Sequence, residues 1–392
     1  MPLTDKGFSV LAKIKEFYPK EKFTSKDLSD ACGEKIFPAT LTGIANNGYI
    51  IKLGGSPVEY QAVDDLDKID LSEHSSIGLT NSQLNKAKKE KNDEFYTRYE
   101  DIEAECIKYR KYFKDKTIYL PCDDPAEKKS EFWSFFLNNF DAFGLKKLIA
   151  THYDMTGKAY KIWVEEDINH DGYIDDDDAL QEDLLGNGDF HSDECIEILK
   201  ESDIVITNPP FSLIRDLVKE ILLYNKQFLI IAPQNAFKYK DIFPYIVENK
   251  IWAGYHFNKT FDFIMDDDYK ITKNGYIDDK GRKHGKVAAV CWMTNIPNSV
   301  RNEKIICTKT YSPEKYPKFD YFDAINVDKV VNIPKDYTGI MGVPISFIGK
   351  YNPEQFQIIG EANHGSDNQY DLCKPIVNGK EIYPRILIKW IS

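Results

Sequence analysis

The sequence predicts an α/β protein: a doubly wound, mostly parallel sheet with an antiparallel edge hairpin, preceded by a small helix-rich module and followed by an irregular region. Three observations predict it. From about residue 93, short apolar runs of strand length alternate with amphipathic helical stretches, the order that builds a parallel sheet. Residues 1–65 have another texture, three helical stretches and then two runs of alternating polarity. Between the two, residues 66–92 are polar, charged and weakly periodic, which reads as a linker. With 392 residues the chain exceeds one ordinary domain. Its texture divides it into a module over 1–65, the linker over 66–92, an α/β domain over 93–300 and a last region over 301–392.

In the first module, Phe8, Leu11, Ile14 and Phe17 recur at three-residue steps and predict one helix face, closed by Pro19. A second helix is expected from Thr24 or Ser25, both good N-cap types, through Cys32 to a break at Gly33. A third lies in FPATLTGIANNG and ends at the Asn47-Gly48 turn. YIIKLG and VEYQAV flank Gly54-Gly55 as a β-hairpin. Three short helices and a hairpin resemble a winged helix-turn-helix, whose third helix enters the major groove of DNA. A small dimerisation domain has the same pattern.

In the α/β domain TIYLP, KKLIATHY, IVITNPP, FLIIAP, IWAGYHF and VAAVCWMTN are the strands, and SEFWSFFLNNF, DECIEILKES and SLIRDLVKEILLYN the helices between the first four. The last two strands have no long helix between them, as an antiparallel edge hairpin requires. Residues 301–392 are rich in Pro and Tyr and weakly periodic, and read as irregular.

Composition narrows the function. With 42% hydrophobic and 29% charged residues the chain reads as globular. No apolar run is long enough for a membrane span, and MPLTDKGFSV lacks a signal-peptide core, so membrane and secreted classes are excluded. Seven cysteines form no CxxC pair, which suits free thiols in a reducing cytoplasm. A net charge of −12 argues against a nucleic-acid partner. Its distribution reverses that argument: residues 165–203 alone carry −15, from sixteen acidic side chains and Lys200, which leaves +3 on the rest.

The sharpest chemical signal is ESDIVITNPPF, residues 201–211. A hydrophobic strand delivers Asn208, Pro209, Pro210 and Phe211 at its carboxyl end, where open α/β sheets bind ligands. Two consecutive prolines fix the backbone and donate no N–H, so the turn offers carbonyls to a substrate amine. The Asn208 side-chain oxygen can accept one amine hydrogen, the Pro209 carbonyl the other, and Phe211 offers a flat face to a base. The bland alternative is a proline-rich turn after a buried strand.

This Asn-Pro-Pro-aromatic strand end resembles the catalytic motif of S-adenosylmethionine-dependent methyltransferases acting on amino nitrogens. GNGDF at 186–190 resembles their third cofactor motif, in which Asp189 would accept from the cofactor's adenine amine and Phe190 pack on its ring. NDEFYTRYE at 92–100 resembles the segment whose Tyr96 and Thr97 would line the methionine pocket. Its position before the first strand is the order of the gamma class. The first strand runs into Asp123, Asp124 and Pro125 but lacks the usual Gly-x-Gly. NDEFYTRYEDIE, YLPCDDP, FGLKKLIATHYD, GNGDF, TNPPFSL and FLIIAPQNAFKYKDIF, in this order, closely resemble the EcoRI-type adenine-specific DNA methyltransferases, which use a Cys-Asp-Asp-Pro loop. The likeness covers about residue 91 to the C-terminus; the N-terminal module lies outside it.

The resemblance implies a Rossmann-like methyltransferase sheet, S-adenosylmethionine as cofactor, double-stranded DNA as partner, and transfer of a methyl group to N6 of an adenine extruded from the duplex. Asn208, Pro209, Pro210 and Phe211 would hold the adenine. Tyr96, Thr97, Asp123, Asp124, Pro125, Asp189 and Phe190 would surround the cofactor, with Asp154 at the ribose hydroxyls. Target reading is expected from residues 255–392 and from Pro38 to Ile44, and the chain is expected to act as a monomer or weak dimer.

Other features stay open. DINHDGYIDDDD places Asp167, Asn169, Asp171, Asp175 and Asp178 nearly as a calcium loop of the EF-hand type, although Asp replaces the final Glu and the flanking helices are missing. A solvated acidic insertion is the alternative. His256, His284 and His364 show no metal spacing. Phe261 or Phe263 is a second stacking face or core, and KNGYIDDKGRKHGK a phosphate-contacting loop or a solvated turn. Two rival functions keep the fold: an amino methyltransferase acting on RNA or on protein glutamine, and a DNA-binding regulator that has lost catalysis.

Overall fold

The computed structural model describes residues 10–11, 13–15, 17–18, 21–32, 35–46, 49–55, 57–63, 95–125, 130–156, 158–265, 275–365 and 368–391. The chain forms two compact units, Met1–Lys91 and Asn92–Ser392. The stretch read as a linker, 66–92, lies wholly outside the described residues.

In the first unit the described residues between Val10 and Phe17 are helical. Val10, Leu11 and Ile14 are buried, but Phe17 is 39% exposed. Three-residue steps drift around a 3.6-residue helix, so by Phe17 the series has left the buried stripe and Val10 takes its place. A strand the sequence reading did not include, β1 (Lys22–Thr24), leads into α1 (Ser25–Cys32), and α2 (Pro38–Asn46) follows. At the start of α1 the caps are reciprocal: the Thr24 amide donates to Asp27 Oδ2 at 2.8 Å and the Asp27 amide to Thr24 Oγ1 at 3.2 Å. Strands β2 (Ile50–Gly54) and β3 (Glu59–Ala62) form the expected antiparallel pair, and β1 joins it in the order β1-β3-β2. Leu28, Leu41, Ile44, Ile50 and Tyr60 close this small core.

The second unit opens with α3 (Tyr99–Cys106) and β4 (Thr117–Leu120), then α4 (Phe132–Asn138) and α5 (Phe140–Phe143). Next come β5 (Lys147–His152), β6 (Tyr160–Val164) and β7 (Leu180–Asp183), then α6 (Asp193–Glu201), β8 (Ile204–Thr207), α7 (Ile214–Leu223) and β9 (Gln227–Pro233). A short 3-10 turn, Gln234–Lys238, and α8 (Phe243–Val247) lead to β10 (Trp252–Ala253), β11 (Lys259–Ile264), β12 (Tyr276–Ile277) and the long β13 (Lys283–Thr294). Strands β9, β8, β4 and β5 are parallel neighbours in that order. Antiparallel pairings flank them: β13 on β9 at one edge, carrying β10, β11 and β12, and the hairpin β6–β7 on β5 at the other.

Alternation along the parallel strands sorts the core into two layers. Tyr119, Ile149, Val205, Phe228 and Ile230 pack beneath α6, α7 and α8. Ile118, Leu120, Leu148, Ala150, Ile204, Ile206, Leu229 and Ile231 pack beneath α3, α4 and α5. Burial on both faces is why β4 and β8 read as continuous apolar runs, all of whose residues are buried. Phe132, Trp133, Phe135 and Phe136 fill the second layer, each burial contributing roughly 1.5–3 kcal/mol.

The region read as irregular is built otherwise. Strands β14 (Ala324–Asn326), β15 (Ile340–Val343), β16 (Phe356–Ala362) and β17 (Asp371–Cys373) are followed by a small pair, β18 (Ile376–Val377) and β19 (Lys380–Glu381), and by β20 (Arg385–Trp390). Among the described residues these form a five-stranded mixed sheet in the order β14-β15-β20-β16-β17, with β18–β19 apart. Several strands are only three or four residues long, and β16 carries register shifts, which breaks the period-two signal. Ile325, Val343, Ile358, Ile386 and Ile388 join the layer beneath α8, so this sheet shares a core with the parallel one.

Glu105, fully buried on α3, ties that helix to the segment between β10 and β11. Its carboxylate accepts from the Tyr109 hydroxyl at 3.2 Å and the Tyr255 and His256 amides at 2.7 and 2.9 Å, with His256 Nδ1 at 2.6 Å. Glu105→Ala leaves these groups buried without an acceptor and should lower the stability of the larger unit by about 3 kcal/mol in urea unfolding.

Candidate active site

The chain order reverses between β4 and β8: from β4 it runs outward to β5, and from β8 to β9 on the other side. Loops therefore diverge at the carboxyl ends of these two strands and leave the crevice where such sheets bind ligands. Residues 121–125 follow β4 there, and Asn208–Phe211 follow β8.

Asp123 joins the two. It is 2% exposed, and its Oδ1 accepts from Ser130 Oγ at 2.6 Å. Its Oδ2 accepts from Thr207 Oγ1 at 2.5 Å and from the Asn208 amide at 2.7 Å. This carboxylate, expected at the cofactor, braces protein to protein at the carboxyl ends of β4 and β8. Burial pushes its pKa up from 3.8 to about 6, against the pull of the three donors.

Asn208 is thereby fixed at its backbone, and its side chain is oriented as well, because Nδ2 donates to the Phe95 carbonyl. The other end of the amide is unmatched: Oδ1 is buried and accepts from no described residue. Such an acceptor costs free energy unless something donates to it. Pro209 is buried, and Pro210, half-buried, accepts from the Leu213 amide at 2.8 Å to close the turn. Phe211 is half-buried and meets Phe95 edge-on at 5.4 Å, while Phe95 stacks on Phe263 at the same distance. Phe261 and Phe263 are themselves buried core residues.

Of the residues expected at the cofactor, Tyr96 bridges Ile264 on β11 through two backbone hydrogen bonds of 2.9 Å. Thr97 is fully buried, and its Oγ1 finds no partner among the described residues. Asp124 Oδ1 accepts from the Tyr160 hydroxyl at 3.1 Å and Oδ2 lies 3.2 Å from His152 Nδ1, with His152 and Tyr160 stacked at 4.9 Å. Pro125 is half-buried beside it. At the end of β5 the Asp154 amide donates to the Asn187 carbonyl at 3.0 Å, which docks the GNGDF loop there. Gly188, with φ +75°, lies so close that a Cβ would sit 2.2 Å from the His152 carbonyl oxygen. Asp154 Oδ1 accepts from the Thr156 amide and hydroxyl at 2.5 and 2.6 Å, which hold its pKa below the usual carboxylate range. Asp189 accepts from the His191 amide and lies 2.8 Å from His191 Nδ1, while Phe190 is buried in the core layer of α6.

The acidic loop closes on itself. Asp178 is buried and accepts from the amides of Ile168, Asn169 and Asp175. Asp167 accepts from His170 and Gly172, Asn169 from Asp171, Asp171 from Tyr173, and Asp175 from Asp177. Among the described residues no group of three or more His, Cys, Asp and Glu side chains is placed to hold a metal ion. In the loop read for phosphate contact, Arg282 is taken up by Asp278 at 2.8 Å and Glu131 at 3.4 Å, and buried His284 sits between Asp262 and Asp278 beneath the Tyr276 ring. His364 is exposed and pairs with Glu381. Ser130 and Thr207 went unmarked in the sequence because their role is to satisfy Asp123 across 7 and 84 residues, which no local pattern encodes.

A raised carboxyl pKa means that the folded state holds the proton more tightly than the unfolded chain. The stability contributed by Asp123 therefore falls as pH rises from 3.8 to about 6, while the three-donor geometry is that of the ionised form. A reaction that depends on the Asn208 turn should accordingly show an acid limb with an apparent pKa near 6. Asp123→Asn should be slower and flat across that limb in rate profiles between about pH 5 and 8. A retained limb would place the titrating group elsewhere.

With this geometry in hand, comparison with known proteins is direct. Residues 83–390 match the family model "Adenine-specific methyltransferase EcoRI". The chain is 43% identical over 322 residues to Type II methyltransferase M.EcoRI of Escherichia coli, an alignment covering 79% of this chain and 97% of that one. It is 39% identical over 324 residues to Type II methyltransferase M.MgeORF184P of Mycoplasma genitalium, covering 78% and 98%, and 40% identical over 284 residues to Type II methyltransferase M.MpnI of Mycoplasma pneumoniae, covering 70% and 84%. No solved structure matches. Strand order, NPPF turn and matched span agree, and the chain belongs to the EcoRI family of adenine-specific methyltransferases.

Proposed function

We propose that the chain is a site-specific DNA methyltransferase that acts on N6 of an adenine turned out of the duplex. The observation that carries this reading is the unmatched Asn208 Oδ1, a buried acceptor at the carboxyl end of β8. Adenine N6 is a weak nucleophile because its lone pair is delocalised into the ring. Hydrogen bonds from its two protons, one to Asn208 Oδ1 and one to the Pro209 carbonyl, favour the pyramidal nitrogen that attacks. Phe211 offers the face against which the base lies. No ionised base is required before attack, since the proton can leave afterwards.

S-adenosylmethionine, when bound, supplies a methyl group already activated by its sulfonium. The residues present fit it: Thr97 Oγ1 is an unsatisfied buried hydroxyl, and the GNGDF loop is held at the end of β5 beside Asp124, His152 and Tyr160. We assign Tyr96 and Thr97 to its methionine end, Asp154 to its ribose, and Asp189 and Phe190 to its adenine. Asp123 acts through Asn208 as a positioning residue. The first unit we read as a winged-helix DNA-binding module, with α2 the groove-facing helix, and 301–392 as the region that contacts the target. No helix among the described residues is long and apolar enough to cross a membrane. A cytoplasmic monomer or weak dimer suits an asymmetric target.

Labelled S-adenosylmethionine incubated with unmethylated genomic DNA should yield N6-methyladenine, and total RNA in parallel should remain unlabelled. Asn208→Ala should bind cofactor and DNA as the wild type does but transfer methyl at least about 100-fold more slowly; wild-type turnover would overturn the mechanism. Deleting residues 1–65 should weaken DNA binding and flatten its salt dependence while leaving cofactor affinity unchanged. Unaltered DNA affinity would point to dimerisation instead.

A further inference from the structure

A second unmatched polar group stands at the same end of the sheet. Gln234 is the first residue after β9, at the start of the 3-10 turn Gln234–Lys238. It is 8% exposed, and its Nε2 finds no partner among the described residues. The register of β8 and β9 sets Thr207 beside Ile230. Asn208 is therefore one residue and Gln234 four residues beyond a matched pair, which separates them by roughly 10 Å along the strands and one strand spacing across. Beyond Pro233 the neighbouring strand offers little cover. Pro233 pairs with Val290, and the next residues of β13, Ala289 and Ala288, are exposed, with Ala289 at φ 57° beside a register break.

Two buried amides thus stand at the carboxyl ends of the neighbouring strands β8 and β9, one with an unmatched acceptor and the other with an unmatched donor. Adenine is complementary to that pair: its amino group donates, and the ring nitrogens on either side, N1 and N7, accept. Guanine reverses the pattern at position 6, where a carbonyl replaces the amine. We propose that Gln234 Nε2 donates to a ring nitrogen beside the target amine, so that Gln234 is a specificity-determining contact to the extruded base. This rests on the function proposed above. Gln234 has no part in moving the methyl group; it selects the base and holds its plane while Asn208 holds the amine.

The test needs the sequence that the full-length enzyme marks, read by mapping N6-methyladenine in treated genomic DNA. Duplexes of that sequence are made with adenine, 7-deazaadenine or 1-deazaadenine at the target position, and single-turnover rates are measured for wild type and Gln234→Leu. Gln234→Leu should slow transfer to adenine about tenfold or more, with cofactor affinity unchanged. One deaza base should slow the wild type by a similar factor and Gln234→Leu no further, because the same hydrogen bond is already missing. A wild-type rate in Gln234→Leu, or penalties that multiply for both deaza bases, would overturn the assignment. If Gln234→Leu fails to fold, Gln234→Glu keeps the shape without the donor and should show the same pattern. Failure of the wild type to methylate any DNA adenine would instead defeat the enzymatic reading on which the assignment stands.

Discussion

The Asp123 carboxylate gathers Ser130 Oγ, Thr207 Oγ1 and the Asn208 amide, groups from the start of α4 and the end of β8, onto the loop that leaves β4. The two strands that diverge at the switch point are thus latched to each other at their carboxyl ends. Asn208 then has one orientation available, with its backbone held by Asp123 and its amide by Phe95, so that Oδ1 is free at a fixed place. Burying a carboxylate has a cost, visible in its raised pKa. That cost is tolerated because a catalytic acceptor misplaced by an ångström loses much of its effect. Stability and function pull this group in opposite directions: the proton favours the fold, the ionised form holds the site.

The same geometry accounts for the cluster of unmatched groups. Thr97 Oγ1, Asn208 Oδ1 and Gln234 Nε2 are buried polar atoms without described partners, and they come from the segment before α3, the end of β8 and the end of β9. Elsewhere, buried polar groups such as Glu105 and Asp178 are saturated with donors. Trp292 Nε1 and Arg301 Nε are also unmatched among the described residues, but three such atoms gathered at one end of a sheet are what a pre-organised polar ligand site looks like before its ligand contributes the missing half.

Much of this was legible in the sequence because the signals are local. The strand IVIT followed by Asn208-Pro209-Pro210-Phe211 carries its own position, since a run buried on both faces marks a central parallel strand and the prolines end it. The GNGDF and Cys-Asp-Asp-Pro loops were likewise readable, but the direction in which Asp123 points was not. A carboxylate in a loop motif looks the same whether it faces a ligand or binds Thr207 from 84 residues away. The C-terminal sheet escaped notice for a related reason. Its strands pair across long separations, β15 with β20 for instance, and its short, bulged segments keep no period. Phe17 failed more simply, through the drift of three-residue steps around a helix.

Charge completes the arrangement. The strongly acidic stretch 165–203 contains β7 and the loop before it, and the hairpin β6–β7 occupies one edge of the sheet, with β10 to β13 at the other. The rest of the chain carries a net positive charge of 3 once those residues are set apart. A polyanion is repelled from the hairpin edge over about a Debye length, roughly 8–10 Å at physiological salt. On the β13 side β9 ends just before Gln234. The acidic insertion, several of whose carboxylates accept from its own backbone amides, would thereby disfavour one edge of the sheet for a DNA substrate without touching it.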